Sequence, residues 1–401
     1  MSEEVPAPPP RGALLFIFAA VFLDLLGAGL LLPIIPYYVR QFDQDALTVG
    51  LLALSFAAAQ FLATPALGLV SDRIGRRPVL IFSVLGSGLA YLVFGMAHAL
   101  WLLFVARIAD GFTGGNISTA QAYIADVTTP QERAKNLGLI GAAFGLGFIF
   151  GPALGGLLAR ISLQAPAFAA GGLSLLTAGF GYFVLPESLP ADRRRREPIR
   201  LRELNPAKQI GAALRRPELR PFLLALFALN FALSGLQTNF PVFTLTRFHL
   251  GPEQNAVIFT FLGVIAALMQ GVAIRRLVIW FRAKPLEVTG LGLMAAGLLV
   301  LAFSSALWMV YAAVAAIAIG SGMATPTLTG TVSRSVSGLE QGMILGTSQS
   351  LNSLTRIFGP VWAGLAFDYV GPGAPYWTAA VVVLAAMGVI ATTSAPEAVT
   401  P

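Results

Sequence analysis

Twelve apolar stretches restrict the fold of this chain more than any other feature of its sequence. Each is close to the roughly 20 residues that an α-helix needs to cross the hydrocarbon core of a bilayer. They lack the strict alternation of apolar and polar residues that marks a membrane β-barrel. The sequence therefore predicts an all-α integral membrane protein with twelve transmembrane helices. The stretches cover 12–38, 47–70, 78–97, 100–126, 135–159, 165–186, 219–246, 254–275, 286–304, 307–332, 342–366 and 375–393.

The distribution of charge predicts the orientation of these helices. Only 11% of the 401 residues are charged, whereas soluble domains carry about 25%. The chain has 26 lysines and arginines, and twelve helices place all but five of them on one side of the membrane. The exceptions are Arg40, Arg160 and Arg247, on the other side, and Arg107 and Arg356, within helices. This positive-inside pattern predicts a plasma (inner) membrane protein with both termini in the cytoplasm. The net charge of +7 thus reflects topology, and no nucleic-acid partner is expected.

The two halves of the chain repeat each other at a spacing of 208 residues. This shift superposes Gly27 on Gly235, Pro33 on Pro241, and Gly151–Pro152 on Gly359–Pro360. Two parallel six-helix halves with a substrate site between them are typical of secondary transporters. We therefore expect two pseudo-symmetric six-helix bundles. The predicted segments are a disordered N-terminal tail (1–11), the first bundle (12–186), a basic cytoplasmic linker (187–218), the second bundle (219–393) and a C-terminal tail (394–401). Within the linker, 201–214 fits either an amphipathic helix on the inner membrane surface or a solvated topogenic segment.

The first apolar stretch contains one carboxylate, Asp24. An acid at the centre of a membrane helix costs about 2.5–3.5 kcal/mol on insertion scales, so it normally faces protein or a water-filled cavity. The residues that follow it permit or force irregular backbone: Gly27, Gly29, Pro33 and Pro36. We interpret Asp24 as a proton or cation site; a tolerated acid at a helix–helix contact is the alternative.

The fourth stretch supplies two further charges. Counting the rise along the helix puts Asp110 at a depth similar to that of Asp24, with Arg107 one turn nearer the outside. One arginine could then bridge both carboxylates, which makes the three residues candidates for proton coupling. A structural ion pair between Arg107 and Asp110 is the alternative interpretation.

Further polar side chains in the apolar stretches are candidates for the wall of a substrate cavity. Three of them, Gln349, Asn352 and Arg356, recur at helical spacing in the eleventh stretch. Hydrogen bonds between helices explain these residues equally well. The complete set is Gln121, Asn230, Gln237, Gln349, Asn352 and Arg356.

The connection between the second and third stretches reads GLVSDRIGRRP, residues 68–78. Gly75 suits a tight turn, and Pro78 suits the first turn of a helix. The segment resembles the loop signature of the major facilitator superfamily, which it matches at Gly68, Asp72, Arg73, Gly75, Arg76 and Arg77.

This resemblance implies a cytoplasmic gate in which Asp72 reaches the opposite half and Arg76 pairs with Asp126. The corresponding segment of the second half, 276–285, has no acidic residue. The sequence therefore predicts an asymmetric gate.

The fifth stretch is rich in glycines that are spaced four apart and permit close packing of helix backbones. The relevant residues are Gly147, Gly151, Pro152, Gly155 and Gly156. Together with Arg107-x-x-x-Gly111 in the fourth stretch and LDLLGAGLLLPIIP in the first, they resemble the signatures of the drug:proton antiporter branch of that superfamily. Tetracycline exporters of the branch carry an acid in helix 3 just before a tyrosine. Here Ala90 precedes Tyr91, which counts against tetracycline itself as the substrate.

The resemblance implies a proton-coupled antiporter of the drug or multidrug type that exports lipophilic or amphipathic small molecules by alternating access. The alternative with the same fold is a proton-coupled symporter or facilitator for a metabolite such as a sugar. An enzyme is not expected, because no apolar stretch offers a metal-ligand cluster or a nucleophile–base pair. We expect a monomer in the lipid bilayer that binds a small-molecule substrate and protons and uses no cofactor or metal.

Overall fold

The computed structural model describes residues 11–42, 45–114, 116–128, 130–192, 194, 207–336 and 338–393. These residues form sixteen α-helices and one π-helical segment. The helices are α1 Arg11–Leu31, α2 Ile35–Arg40, α3 Ala46–Ile74, α4 Arg76–Gly95, α5 Leu100–Thr113, α6 Asn116–Val127, α7 Pro130–Ala159, α8 Ala165–Val184, α9 Ala207–Leu214, α10 Arg220–Phe248, α11 Pro252–Leu268, the π-helical Met269–Ala273, α12 Ile274–Trp280, α13 Ala283–Ala302, α14 Leu307–Arg334, α15 Gly338–Tyr369 and α16 Ala374–Thr392.

The prediction of an all-α membrane protein is confirmed. By length and hydropathy, eight helical segments of the described chain can each cross a membrane, and two shorter apolar ones, Phe16–Leu31 and Gly145–Ala159, accompany them. Helices of the structure follow the twelve predicted stretches in order, although some stretches hold two helical pieces. The eight segments are Ala46–Ile74, Arg76–Gly95, Ala165–Val184, Arg220–Phe248, Pro252–Trp280, Ala283–Ala302, Leu307–Arg334 and Ala374–Thr392.

Two of the predicted continuous stretches are interrupted. In the first, α1 ends at Leu31 and α2 begins at Ile35, on either side of Pro33. Proline has no N–H to continue the helical ladder, which explains the break. In the fourth, α5 ends at Thr113 and α6 begins at Asn116, so the expected single helix over 100–126 is wrong.

The interruption between α5 and α6 is supported by a side chain from α3. The Gln60 amide donates to the Gly114 carbonyl over 3.0 Å. The Gly114 N–H donates to the Asp110 carbonyl over 2.6 Å. Non-helical backbone at membrane depth needs such partners because no bulk water is present to satisfy it. The break therefore lies next to a predicted site residue and is satisfied within the protein.

The segment 68–78 is helical almost throughout, which corrects the interpretation of its acid as a loop residue. Helix α3 continues to Ile74 and α4 begins at Arg76, so Gly75 is the whole connection. Its φ of 111° lies in the region that favours glycine, as the predicted tight turn requires. Asp72 consequently lies in the last turn of α3 rather than in a loop.

The chain forms two compact units. Unit 1 comprises the described residues within Met1–Tyr38 and Ser55–Leu204, and unit 2 those within Val39–Leu54 and Asn205–Pro401. The domain limits predicted from the sequence stay a prediction. Most of the two predicted tails, and residues 193 and 195–206 of the predicted linker, lie outside the described residues. Of the amphipathic helix considered for 201–214, the described part is α9, Ala207–Leu214.

Glycines bring helix backbones into direct contact in each unit. In unit 1, a Cβ on Gly151 of α7 would lie 2.6 Å from the Gly29 Cα of α1. In unit 2, a Cβ on Gly235 of α10 would lie 3.3 Å from the Gly359 carbonyl oxygen of α15. The shift of 208 residues relates α1 to α10 and α7 to α15. The internal repeat of the sequence therefore corresponds to the same type of helix pair in both units.

We expect Gly151→Ala to destabilise unit 1, because the added methyl group would force α1 and α7 apart. Overpacking of this kind costs about 1–3 kcal/mol. Gly145→Ala on the same helix is the matched control, since a Cβ there meets no atom within 4 Å. Thermal unfolding in detergent should show a lower midpoint for the Gly151 variant alone. Equal midpoints for the two variants would contradict the close contact.

Candidate functional site

A buried ion pair occupies the end of α5. The Arg107 guanidinium donates to Asp110 Oδ2 over 2.9 Å, and the two side chains are only 11% and 4% exposed. The spacing of three residues places both on one face of the helix. The expected pair of Arg107 with Asp110 is therefore present. A charge at this depth would be costly without such a partner.

Helix α3 covers the arginine with an aromatic ring. The guanidinium carbon of Arg107 lies 4.1 Å from the ring centroid of Phe56, which is a close cation–π contact. Close passage of the two helices permits this, since a Cβ on Gly111 would collide with the Phe56 carbonyl. The Nε of Arg107 is buried and has no hydrogen-bond partner among the described residues.

Tyr91 of α4 completes this charged cluster, and the sequence interpretation gave it no role. The ring packs against α1, where a Cβ on Gly27 would lie 3.0 Å from it. The charges of Asp110, Asp24 and Arg107 all act on its phenol group. Asp24 itself is half-buried, one turn before Gly27. Tyr91 thus lies within electrostatic range of the three residues predicted for proton coupling.

A hydroxyl group adjoins the carboxylate of the ion pair. Ser87, which is fully buried on α4, lies beside the Asp110 carboxylate. Its Oγ also lies 3.3 Å from the Thr113 Oγ1 of α5. Asp110 is consequently held by a cation and a hydroxyl together. Both partners stabilise its position next to the break after α5.

The predicted gate residues of unit 1 surround the side chain of Arg76, which is 9% exposed. Its Nη1 lies 2.5 Å from Asp72 Oδ1, and its Nε lies 3.2 Å from Asp126 Oδ2. The pair of Arg76 with Asp126 implied by the resemblance is thus present. Ser71 Oγ accepts a further hydrogen bond of 2.6 Å from the same guanidinium. Asp72 accordingly has a partner within its own unit.

Glu187, just beyond the end of α8, adds a further carboxylate to this cluster, and no motif of the sequence indicates it. Its Oε1 accepts a hydrogen bond of 2.8 Å from the backbone N–H of Arg76, at the first residue of α4. A carboxylate is favourable there because the helix N-terminus carries partial positive charge. The neighbouring Ser188 donates to Asp126 over 3.1 Å. Glu187 lies 111 residues from Arg76, so no local pattern indicates this contact.

The remaining gate residues differ in their environment. Arg77 donates to the backbone carbonyl of Tyr182 over 2.5 Å and lies over its ring. Arg73 is exposed, without an ion-pair partner in the described part of the chain. A Cβ on Gly68 would approach Ser118 Oγ no closer than 4.0 Å. Arg76 is therefore the centre of the cluster.

Unit 2 has a buried acid near the equivalent position. Glu287 of α13 is 1% exposed, and its Oε1 accepts a hydrogen bond of 2.6 Å from Thr331 Oγ1. The charges of Arg334 and Lys284 act on the carboxylate. The 208-residue shift relates Arg334 to Asp126, so a cation in unit 2 replaces an anion in unit 1. The segment 276–285 indeed has no acid, and Glu287 lies just beyond it.

The predicted cavity residues are distributed over both units and differ in their partners. Asn230 donates to the Leu226 carbonyl of its own helix over 2.8 Å. The Asn352 side-chain oxygen accepts from Thr355 over 3.4 Å. The side chains of the other four have no hydrogen-bond partner among the described residues: Gln121, Gln349 and Arg356, which are exposed, and Gln237, which is half-buried. These four remain able to bind an external polar group.

The antiporter-like glycines of α7 form a packing surface. Gly147 faces Leu25 of α1, and Gly155 faces the backbone of Leu30, so these residues follow α1 along its length. Gly151, Pro152 and Gly156 are likewise buried. This surface fixes the helix that carries Asp24. Within the described ranges, no group of three or more His, Asp or Glu residues is placed to hold a metal ion.

Comparisons with known proteins all point to membrane transporters. A family profile described as Major Facilitator Superfamily matches residues 17–286. "Tetracycline resistance protein, class C" of Escherichia coli is 34% identical, over 89% of this chain and 93% of that protein. "Multidrug resistance protein 2" of Bacillus subtilis is 29% identical, over 88% of each. The crystal structure of the human organic anion transporter TETRAN superposes with a TM-score of 0.71 at 26% identity, over 96% of this chain and 100% of that one.

We expect Arg76 and Asp126 to be energetically coupled. Removing one partner leaves the other poorly satisfied, so Arg76→Gln and Asp126→Asn together should cost less stability than the sum of the single changes. Coupling between contacting residues amounts to about 0.5–3 kcal/mol. The measurement is a double-mutant cycle on thermal unfolding in detergent. Arg73→Gln combined with Asp126→Asn is the control and should be additive; additivity in both cycles would argue against the pair.

Proposed function

The chain belongs to the Major Facilitator Superfamily, and we propose that it is a proton-coupled exporter of lipophilic or amphipathic small molecules. Membership in this family makes it a multi-pass membrane transporter rather than an enzyme. The observation that carries the proposal is the buried cluster of unit 1. There, Arg107 pairs with Asp110 inside a membrane-spanning stretch, and the charges of both and of Asp24 act on the buried phenol of Tyr91. Ionisable residues in such positions mark proton and substrate pathways.

Asp24 is the proton carrier in this proposal. Asp110 is 4% exposed in its ion pair with Arg107, whereas Asp24 is half-buried and thus nearer to water. A carboxylate that alternates between wet and closed surroundings changes its proton affinity, because burial disfavours the charged form and a nearby cation favours it. Arg107 supplies that cation. Proton binding from outside and release to the cytoplasm can then accompany exchange with the substrate.

The substrate class follows from the relatives and from the polar groups without partners. The two curated relatives described above are named for tetracycline and multidrug resistance, which supports export of drug-like molecules over sugar uptake. Gln121, Gln237, Gln349 and Arg356 offer hydrogen bonds in helices that are otherwise apolar. Ala90 in place of an acid keeps tetracycline itself from being the first candidate. Lipophilic drugs and dyes are therefore the proposed substrates.

The Arg76 cluster is the proposed cytoplasmic gate. Its residues join the ends of α3, α4 and α6 through ion pairs, and alternating access requires such contacts to differ between two states. A change of 1.4 kcal/mol in one state shifts their ratio about tenfold. The proposed location is the plasma (inner) membrane, with both termini cytoplasmic and the chain acting as a monomer.

Uptake of a metabolite is the second candidate function, since a symporter or facilitator could share the fold. The glycine-rich surface of α7, including Pro152, favours the exporter because it matches the antiporter signature. The names of the curated relatives favour the same choice.

We expect cells that express the protein to retain less of a lipophilic cationic dye than cells carrying an empty vector. A protonophore should abolish the difference, because the proposed export uses the proton gradient. The measurement is dye fluorescence over time, repeated with a panel of dyes and antibiotics at matched protein abundance. Unchanged retention across the panel, combined with accumulation of a radiolabelled sugar, would favour the symporter.

We expect Asp24→Asn to abolish uphill export while leaving membrane insertion and substrate binding in place. The amide keeps the shape of the side chain but fixes it in an uncharged form. Asp110→Asn is the matched comparison and should retain coupling, with lower thermal stability because Arg107 loses its partner. The measurement is substrate-induced proton flux in proteoliposomes. If the Asp24 variant still couples a pH gradient to transport, Asp110 becomes the proposed carrier.

A further inference from the structure

We propose that unit 2 binds the headgroup of an anionic phospholipid between α12, α14 and the start of α13. A cavity of about 330 Å³ opens there. Its walls include two arginines, Arg282 and Arg334, and apolar side chains of all three elements. The site is separate from the charged cluster of α5 and from the Arg76 cluster, both of which belong to unit 1.

The two arginines form no close ion pair in the part of the chain that the structure describes. Both are exposed, and neither lies within 4 Å of a carboxylate among the residues that the structure describes. Among the described residues, the Arg334 side chain donates to Thr331 Oγ1 alone, over 3.5 Å. The nearby acid, Glu287, is buried and accepts from the same threonine. Two guanidinium groups facing one cavity favour an anion between them, and their planar forks suit phosphate oxygens.

The repeat explains why this cavity is open in unit 2. In unit 1, the Arg76 side chain lies between Asp72 and Asp126. The shift of 208 residues places Arg334 where unit 1 has Asp126. Unit 2 therefore has a cation in place of the acid that binds the arginine of unit 1. The nearby acid of unit 2, Glu287, is buried and forms no ion pair within 4 Å of either arginine in the described part of the chain.

The surroundings of the cavity favour a lipid over a free anion. Ile274, Val278 and Phe281 form its apolar wall. The same segment directs large side chains outward, since Ile279 is 78% exposed and Trp280 is 73% exposed. Trp is enriched at the membrane–water interface, where its ring meets the headgroup region. A ligand with a phosphate for the arginines and acyl chains for this surface fits both features.

The π-helical segment before α12 and the predicted membrane topology are both consistent with a bound phospholipid headgroup. The π-helical segment Met269–Ala273 directly precedes α12, and such segments are frequent at functional sites. The cavity lies on the side of the membrane that the charge pattern predicts to be cytoplasmic. Basic pockets between helices on that side recur as sites for acidic headgroups.

The test compares the thermal stability of the full chain in two kinds of nanodisc. One contains phosphatidylcholine alone, and the other contains phosphatidylcholine and phosphatidylglycerol in equal parts. We expect the wild type to unfold several degrees higher in the second. Arg282→Gln combined with Arg334→Gln should remove most of that difference. Arg276→Gln is the matched control, because Arg276 is exposed on α12 but does not line the cavity, and it should keep the difference.

Three outcomes would overturn the proposal. The wild type could show no dependence on phosphatidylglycerol, or Arg276→Gln could lose as much stabilisation as the double variant. In the third, inorganic phosphate added to phosphatidylcholine nanodiscs could reproduce the full shift, which would identify a site for free phosphate. A second measurement, on the wild type alone, covers the case in which the double variant does not fold.

In this measurement, phosphatidylglycerol with a photoreactive headgroup should label residues 274–283 of the wild type. Labelling confined to other segments would refute the site.

Discussion

The ion pair between Arg107 and Asp110 is the constraint on which unit 1 depends. A buried pair of charges is stable only if the pairing and further hydrogen bonds offset the loss of hydration. Phe56 and Ser87 supply additional partners, from α3 and α4. Removing one charge would leave the other buried and unpaired, so Asp110 is poorly suited to exchange its proton in every cycle. In the proposed mechanism, the half-buried Asp24 carries the proton instead.

The position of Asp24 depends in turn on glycine packing. Helix α1 carries the acid, and α7 contacts α1 through Gly147, Gly151 and Gly155. Since backbone meets backbone there, α1 has little room to shift along α7. The glycines that resemble an antiporter signature therefore have a mechanical explanation. They hold one wall of the charged cluster in place beside Tyr91.

The sequence predicts what is local and misses what joins distant segments. Hydropathy and the 208-residue repeat indicate the helices, and the spacing of three residues indicates the pair of Arg107 with Asp110. Tyr91 and Glu187 escape notice because their partners lie on other helices, and an aromatic or terminal residue has many ordinary explanations. The break after α5 is missed for a related reason. The Gly114 carbonyl is satisfied by Gln60 from α3, and such tertiary support leaves no periodic signal.

The two units carry opposite charges at one pair of equivalent positions, Asp126 in unit 1 and Arg334 in unit 2. In unit 1, Asp126 accepts a hydrogen bond from the buried Arg76, and the other partners of Arg76 also belong to this unit. In unit 2, Arg334 holds the equivalent position and the acid, Glu287, is buried against Thr331. Because the acid already has a hydroxyl donor and little exposure, it leaves Arg334 and Arg282 facing the cavity. The two halves therefore differ mainly in where the acid lies. In unit 1 the acid pairs with an arginine, whereas in unit 2 it is buried and the arginines line a cavity.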